Sequence, residues 1–255
     1  AVSIDPNNSD YYNNRGNAKY SLTDYKGAIE DFTQAVSIDP NNSNYYNNRG
    51  YAKYSLTDYK GAIEDYTQAV SIDPNNSDYY NNRGNAKYSL NDYKGAIEDF
   101  TKAISIDPNN SNYYDKRGNA KYSLVDYKGA IEDYTTTITI NPKDQNAYYA
   151  RGLAKYDLKD YQGAIEDYTT TITLNPKVQN AYYARGLAKY KFGNKEGSIL
   201  DCDKAIAIDL KDADIYYLRG KAKFDLGNKE GARSDFKKAC ELNFAEGCNS
   251  YNNLK

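Results

Sequence analysis

The side chains able to do chemistry in this chain are amides, carboxylates and phenols set in rows. Asparagines recur as Asn13-Asn14, Asn47-Asn48 and Asn81-Asn82, with Asn17, Asn85 and Asn119 a helical turn further on. A primary amide both donates and accepts, so a row of them can pair with an extended peptide backbone without reading its side chains. The alternative is that these amides only keep an open surface wet. Catalysis finds no comparable arrangement. There is no histidine, no G-x-S-x-G, no Walker loop and no clustered metal-ligand spacing. The acids recur instead in surface positions such as Glu30-Asp31 of each repeat. The expectation is a binding protein, not an enzyme, with no cofactor and no metal.

Charge and composition narrow the partner. The 255 residues carry 33 basic and 35 acidic side chains, a formal net charge of -2. That balance argues against nucleic acid, which requires a clearly basic face, and against a polybasic membrane surface. No run of 18 apolar residues exists, so no membrane span is expected. Trp and Met are both 0 and Tyr is 30. Tyrosine therefore supplies most of the large apolar area, with a hydroxyl that can stay at a wet edge.

The elements that position these rows follow from a period. Arg15-Gly16 recurs every 34 residues, as Arg49-Gly50, Arg83-Gly84, Arg117-Gly118, Arg151-Gly152, Arg185-Gly186 and Arg219-Gly220. A repeat of that length signals stacked helical hairpins. Tyr12, Gly16, Ala18 and Tyr20 fall at helical spacing and predict a first helix over Asp10–Leu22, with Ser9 as its N-cap. Thr23-Asp24 breaks it. A second helix over Asp24–Ser37 carries Ala28, Ile29, Phe32, Ala35 and Val36 on one face, and Asp39-Pro40-Asn41-Asn42 is turn chemistry. The small Gly16 and Ala28 let the two helices approach closely.

These residues resemble the tetratricopeptide repeat. Its aromatic–x2–Leu-Gly–x2–Tyr … Ala–x3–Phe … Pro pattern stands here as Tyr12-x2-Arg15-Gly16-x2-Lys19 … Ala28-x3-Phe32 … Pro40. Tyr12 replaces the usual Trp, Arg15 the Leu and Lys19 the Tyr. The resemblance implies an all-α, right-handed superhelical solenoid of helix-turn-helix hairpins. The repeats run 9–42, 43–76, 77–110, 111–144, 145–178, 179–212 and 213–246, with a capping helix over 247–255. Residues 1–8 read as the end of a truncated preceding repeat, because Ala1–Pro6 copies Ala35–Pro40.

In this family the first helix of each hairpin lines the concave side. By resemblance that surface takes Asn13, Asn14, Asn17, Asn47, Asn48, Asn81, Asn82, Asn85, Lys116 and Asn119, then Tyr149, Leu153, Tyr183, Leu187 and Tyr217. The groove thus changes from amide-rich to aromatic, and the aromatic half is expected to hold most of a partner's binding energy. Ordinary interhelix packing is the alternative for those rings. The arginine row has two readings as well: a basic ladder for acidic tails, or stems packed in place of the usual leucine with heads on the Asp31, Asp65 and Asp99 type of acid. On the second reading leucine in place of arginine should be tolerated or stabilising.

Cys240 to Cys248 looks like the cysteine pair that bridges neighbouring helices in Sel1-like repeat proteins. A disulfide there implies an oxidising compartment; without it a cytoplasmic protein is expected. Phe244–Lys255 then reads as a short helix with Cys248, Tyr251 and Leu254 facing inward. Cys202, where other repeats have Phe32 and Tyr66, is expected to be buried and inert. The Asn7-Asn8-Ser9 type of sequon arises from the turn itself, and no glycosylation is expected. The function that follows is a protein–protein interaction scaffold holding a peptide or partner subunit. The alternatives are end-to-end self-assembly as a homo-oligomer, or a consensus-like array without a natural ligand.

Overall fold

The computed structural model describes residues 7–254 as two units, divided after Asp126. The first unit holds α1 (Ser9–Ser21), α2 (Tyr25–Ile38), α3 (Ser43–Ser55), α4 (Tyr59–Ile72), α5 (Ser77–Ser89), α6 (Tyr93–Ile106) and α7 (Ser111–Ser123). The second holds α8 (Tyr127–Ile140), α9 (Gln145–Asp157), α10 (Tyr161–Leu174), α11 (Gln179–Phe192), α12 (Lys195–Ile208), α13 (Ala213–Asp225), α14 (Lys229–Glu241) and α15 (Ala245–Asn253). Within each unit successive helices pack as hairpins and successive hairpins stack. The odd-numbered helices, which carry the asparagine and tyrosine rows, are called A helices below, and the even-numbered ones B helices. Most of the expected remnant over residues 1–8, and Lys255, lie outside the described residues.

Helix boundaries move by a residue from the sequence expectation, for a local reason. The cap of α1 is Asn8, not Ser9: the Asn8 Oδ1 accepts the Asp10 N–H at 3.0 Å. Ser9 is freed for another bond, and its hydroxyl meets the Tyr45 hydroxyl of the next hairpin at 3.0 Å. Asp24 stands just outside α2 as its cap, accepting from the Gly27 N–H at 3.0 Å. The turn between them places Thr23 in the left-handed region with φ 63°, and Gly193 and Gly227 take that place in the last two full hairpins.

The core is thin and repetitive. The Phe32 ring of α2 packs with Ala28 and with Ala52 of α3, so one B-helix ring binds two A helices together. Tyr66 with Ala86 and Phe100 with Ala120 repeat the arrangement. Tyrosine hydroxyls add polar stitches between hairpins. Tyr45 donates to Asp10 at 2.7 Å, Tyr79 to Asn44 at 2.9 Å and Tyr113 to Asp78 at 2.9 Å. The abundance of tyrosine over phenylalanine follows: each ring fills a layer and its hydroxyl ties that layer to the one before.

The recurring acid is not at the surface. Asp31, Asp65 and Asp99 in the first unit, and Asp167, Asp201 and Asp235 in the second, are each no more than 3% exposed. Arg49 forks onto Asp65, with Nε at 2.9 Å from one carboxylate oxygen and Nη2 at 2.7 Å from the other. Lys53, one turn on, reaches the same carboxylate at 2.8 Å. The guanidinium lies over the Tyr46 ring, 5.5 Å from its centroid. Equivalent forks join Arg83 to Asp99, Arg151 to Asp167 and Arg185 to Asp201. Burial raises the Asp31 carboxyl, yet hydrogen bonds from Arg15 and Lys19 outweigh it and hold the group below its usual range. This arrangement reverses the expectation that leucine is tolerated at these arginines. Leucine strands a buried carboxylate on a single lysine.

Cys202 is fully buried, as expected, and burial pushes its thiol up to about 12. It is smaller than the ring it replaces, and the neighbouring glycine registers the difference. A methyl group on Gly50 would come within 2.7 Å of the Tyr66 ring, whereas one on Gly186 would meet nothing closer than 3.3 Å. Gly50→Ala is therefore expected to lower the melting temperature, since overpacking costs about 1–3 kcal/mol. Gly186→Ala should lose much less: helix propensity favours alanine by about 1 kcal/mol at both sites, and here little overpacking opposes it. Thermal unfolding of the two variants checks this; equal losses would contradict it.

Candidate functional site

The candidate residues divide between the two units, all on A helices. In the first unit several of the amides are tied to one another. Asn48 donates to Asn13 at 2.9 Å, and Asn82 donates to Asn47 at 3.0 Å, each bond crossing from one A helix to the preceding one. Lys116 continues the pattern by donating to Asn81 at 3.0 Å, and Asn81 in turn donates to Asn82 at 3.2 Å. The Asn82 oxygen also accepts the Tyr51 hydroxyl at 3.0 Å. Asn81 is 8% exposed and Asn82 only 4%. Burial pushes the Lys116 amine down, against the pull of Asp115 and Asp78.

This corrects the sequence reading of a free ladder. Stacking brings the second amide of each pair opposite the first amide of the pair before it, and one hydrogen bond joins the two. Asn14 and Asn17 remain exposed, and Asn85 is half-buried. Asn17 lines a hollow of about 220 Å³ with Tyr20, Asn48 and Tyr51. Asn85, Lys116 and Asn119 line another of about 170 Å³, and Asn119 donates to Asp115 at 3.1 Å.

The second unit differs. Tyr149 and Leu153 pack against the buried cluster of Ala164, Tyr168, Ala184 and Ala188, with the Tyr149 and Tyr168 rings 5.6 Å apart. Both are half-buried there. Tyr183, Leu187 and Tyr217 instead share one cavity of about 220 Å³ between α11 and α13. Burial first, then Asp214 and Asp212, pushes the Tyr183 hydroxyl up to about 12. Phe244 closes one side, its ring 5.1 Å from that of Tyr217.

Phe244 was missed because it stands in the turn before α15, in the row that holds Pro40, Pro74, Pro108, Pro142 and Pro176, and not in a row on an A helix. Its position is held by the disulfide between Cys240 and Cys248, whose Cα atoms are 4.4 Å apart. Lys221, also on the cavity rim, was legible: it occupies the row of Asn17, Asn85 and Leu187 and is the one charge in it.

Among the described residues no group of three histidine, cysteine, aspartate or glutamate side chains is placed to hold a metal ion, and no helix is long and apolar enough to cross a membrane. Tetratricopeptide repeat family models match residues 77–110, 146–178 and 213–246, and TPR repeat models match 16–56, 52–90 and 118–159. The chain belongs to the tetratricopeptide repeat family. No curated protein matches it. Among solved structures this tetratricopeptide repeat chain is similar to MamA, at 27% identity over 68% of this chain and 94% of MamA, with a TM-score of 0.63. It is similar to YrrB, a TPR protein with an unusual peptide-binding site, at 23% identity over 71% and 93%, with a TM-score of 0.63. The C-terminal part of a TPR repeat-containing protein from Cytophaga hutchinsonii covers 93% of this chain and 98% of its own, at 19% identity and a TM-score of 0.81. Tetratricopeptide repeats are scaffolds for protein–protein interaction, and the chain is of that kind.

The paired amides make a measurable distinction. Asn82→Ala removes a partner from Asn47, Asn81 and Tyr51 at once, so it should destabilise the first unit by about 1–3 kcal/mol. Asn17→Ala, at an exposed side chain, should stay within about 0.5 kcal/mol of the parent. Urea unfolding of both variants tests this. Equal stability would mean that the amide bonds contribute nothing to the fold.

Proposed function

We propose that the chain holds an extended segment of a partner protein along the A-helix face of its second unit, with one apolar side chain of that segment seated between α11 and α13. The observation that supports this most is the shared cavity of Tyr183, Leu187, Tyr217 and Phe244. Rings that are partly wet and partly packed lose little conformational entropy on binding and dominate interface energies. The amides of the first unit, already bonded to one another, offer less. A peptide site on this fold is described for YrrB.

Selection of a random displayed peptide library against the chain tests the proposal, followed by hydrogen exchange of the complexes. Enriched peptides should slow exchange in α11 and α13. Protection confined to α12 and α14 would move the site to the opposite helices. An absence of enriched peptides together with a size that grows with concentration would replace peptide binding by end-to-end self-assembly.

A further inference from the structure

The charges around the cavity are unequal at its two ends. Lys191 in the last turn of α11 and Lys221 on α13 stand at one end. The Lys221 Nζ lies over the Tyr190 and Tyr217 rings, 5.4 Å and 5.6 Å from their centroids. Among the described residues neither lysine has a carboxylate partner. That sets them apart from Lys155, Lys189 and Lys223, each of which is taken by a buried aspartate.

At the other end is Asp214, in the first turn of α13. Its counterparts Asp10, Asn44 and Asp78 each accept a tyrosine hydroxyl from the next hairpin. The tyrosine that makes this bond stands 35 residues on, and its row gives way to Ala147, Ala181 and Ile215; 35 residues on from Asp214 is Asn249 of α15, which makes no such bond among the described residues. Burial, with Asp212 and Glu246 nearby, raises the Asp214 carboxyl. The cavity thus has an apolar floor, with an acid at one end and two lysines at the other that, among the described residues, have no counter-ion.

Resting on the reading of this face as a binding surface, we propose that the cavity selects a peptide segment in which one bulky apolar side chain is flanked by a basic residue on one side and an acidic residue on the other. The apolar side chain sits on Tyr183, Leu187 and Tyr217. The acid pairs with Lys191 and Lys221, and the base pairs with Asp214. Asp214 and Lys221 are two helical turns apart on α13, about 10 Å along its axis. Side chains two residues either side of a central one in an extended strand are about 13 Å apart and point the same way as it does. Lysine and glutamate side chains easily absorb the difference. Because a segment can lie in either direction, the order of the two charges is free but both are required.

Fluorescently labelled, end-blocked pentapeptides test the proposal against the whole chain: Lys-Ala-Phe-Ala-Glu, Ala-Ala-Phe-Ala-Ala and Lys-Ala-Ala-Ala-Glu. Binding is read by polarisation at low and high salt, and the location by hydrogen exchange. The first peptide should bind about threefold to tenfold more tightly than the second, and the advantage should vanish in 1 M NaCl. The third should bind weakest. Lys221→Gln should weaken the first peptide more than the second, so that the charged peptide loses most of its advantage. If the uncharged phenylalanine peptide binds α11 and α13 as well as the charged one, the inference fails and the proposed function stands. If no phenylalanine peptide protects α11 and α13, both fail.

Discussion

A buried aspartate in each hairpin is the constraint on which the rest depends. A carboxylate at 2–3% exposure cannot remain there unless its hydrogen-bonding capacity is filled. Arg49 and Lys53 on one helix fill it for Asp65 on the other. Two cations four residues apart share a helix face, so the B helix must cross the A helix at one height and one rotation. The arginine head is in turn held over the Tyr46 ring. The stem fills space that leucine fills in the usual pattern of the family. This fixes where every other row points. The asparagine and tyrosine positions of each A helix are carried to the face that the B helix leaves open.

That constraint explains how much of the molecule was legible. The period, the hairpins and the pairing of arginine with the Asp31 type of acid could be read because each repeats. What could not be read was burial. Glu30 and Asp31 are adjacent in sequence and look alike, but helical spacing turns Asp31 toward α1 and leaves Glu30 outside. The caps shifted by one residue because asparagine and serine both cap helices, and only the next hairpin decides which is free: Ser9 is claimed by Tyr45.

The candidate site was legible in part for the same reason. Rows of asparagine were visible, but whether an amide faces solvent or another amide depends on the stacking offset between A helices. The bonds Asn48 to Asn13 and Asn82 to Asn47 arise from that offset. In the second unit Tyr149 and Tyr183 hold the same place in the row, and sequence treated them alike. Tyr149 packs on the Tyr168 ring, whereas Tyr183 lines a cavity that Phe244, standing in the α14–α15 turn where earlier repeats have proline, closes on one side. Departure from the repeat, more than the repeat itself, distinguishes one position on this face from another.

The central claim is that a buried charge, neutralised across the hairpin, sets its geometry. A double-mutant cycle on Arg83 and Asp99 tests it most directly, by urea unfolding of Arg83→Leu, Asp99→Leu and the double variant. The forked bond between them, 2.7 Å from Nη2 to Oδ1, predicts strong coupling. Arg83→Leu alone should be destabilising, and adding Asp99→Leu should recover stability, with a coupling energy of about 1 kcal/mol or more. Losses that simply add would contradict the account and leave the packing of rings against Gly84 and Ala120 as what sets the hairpin.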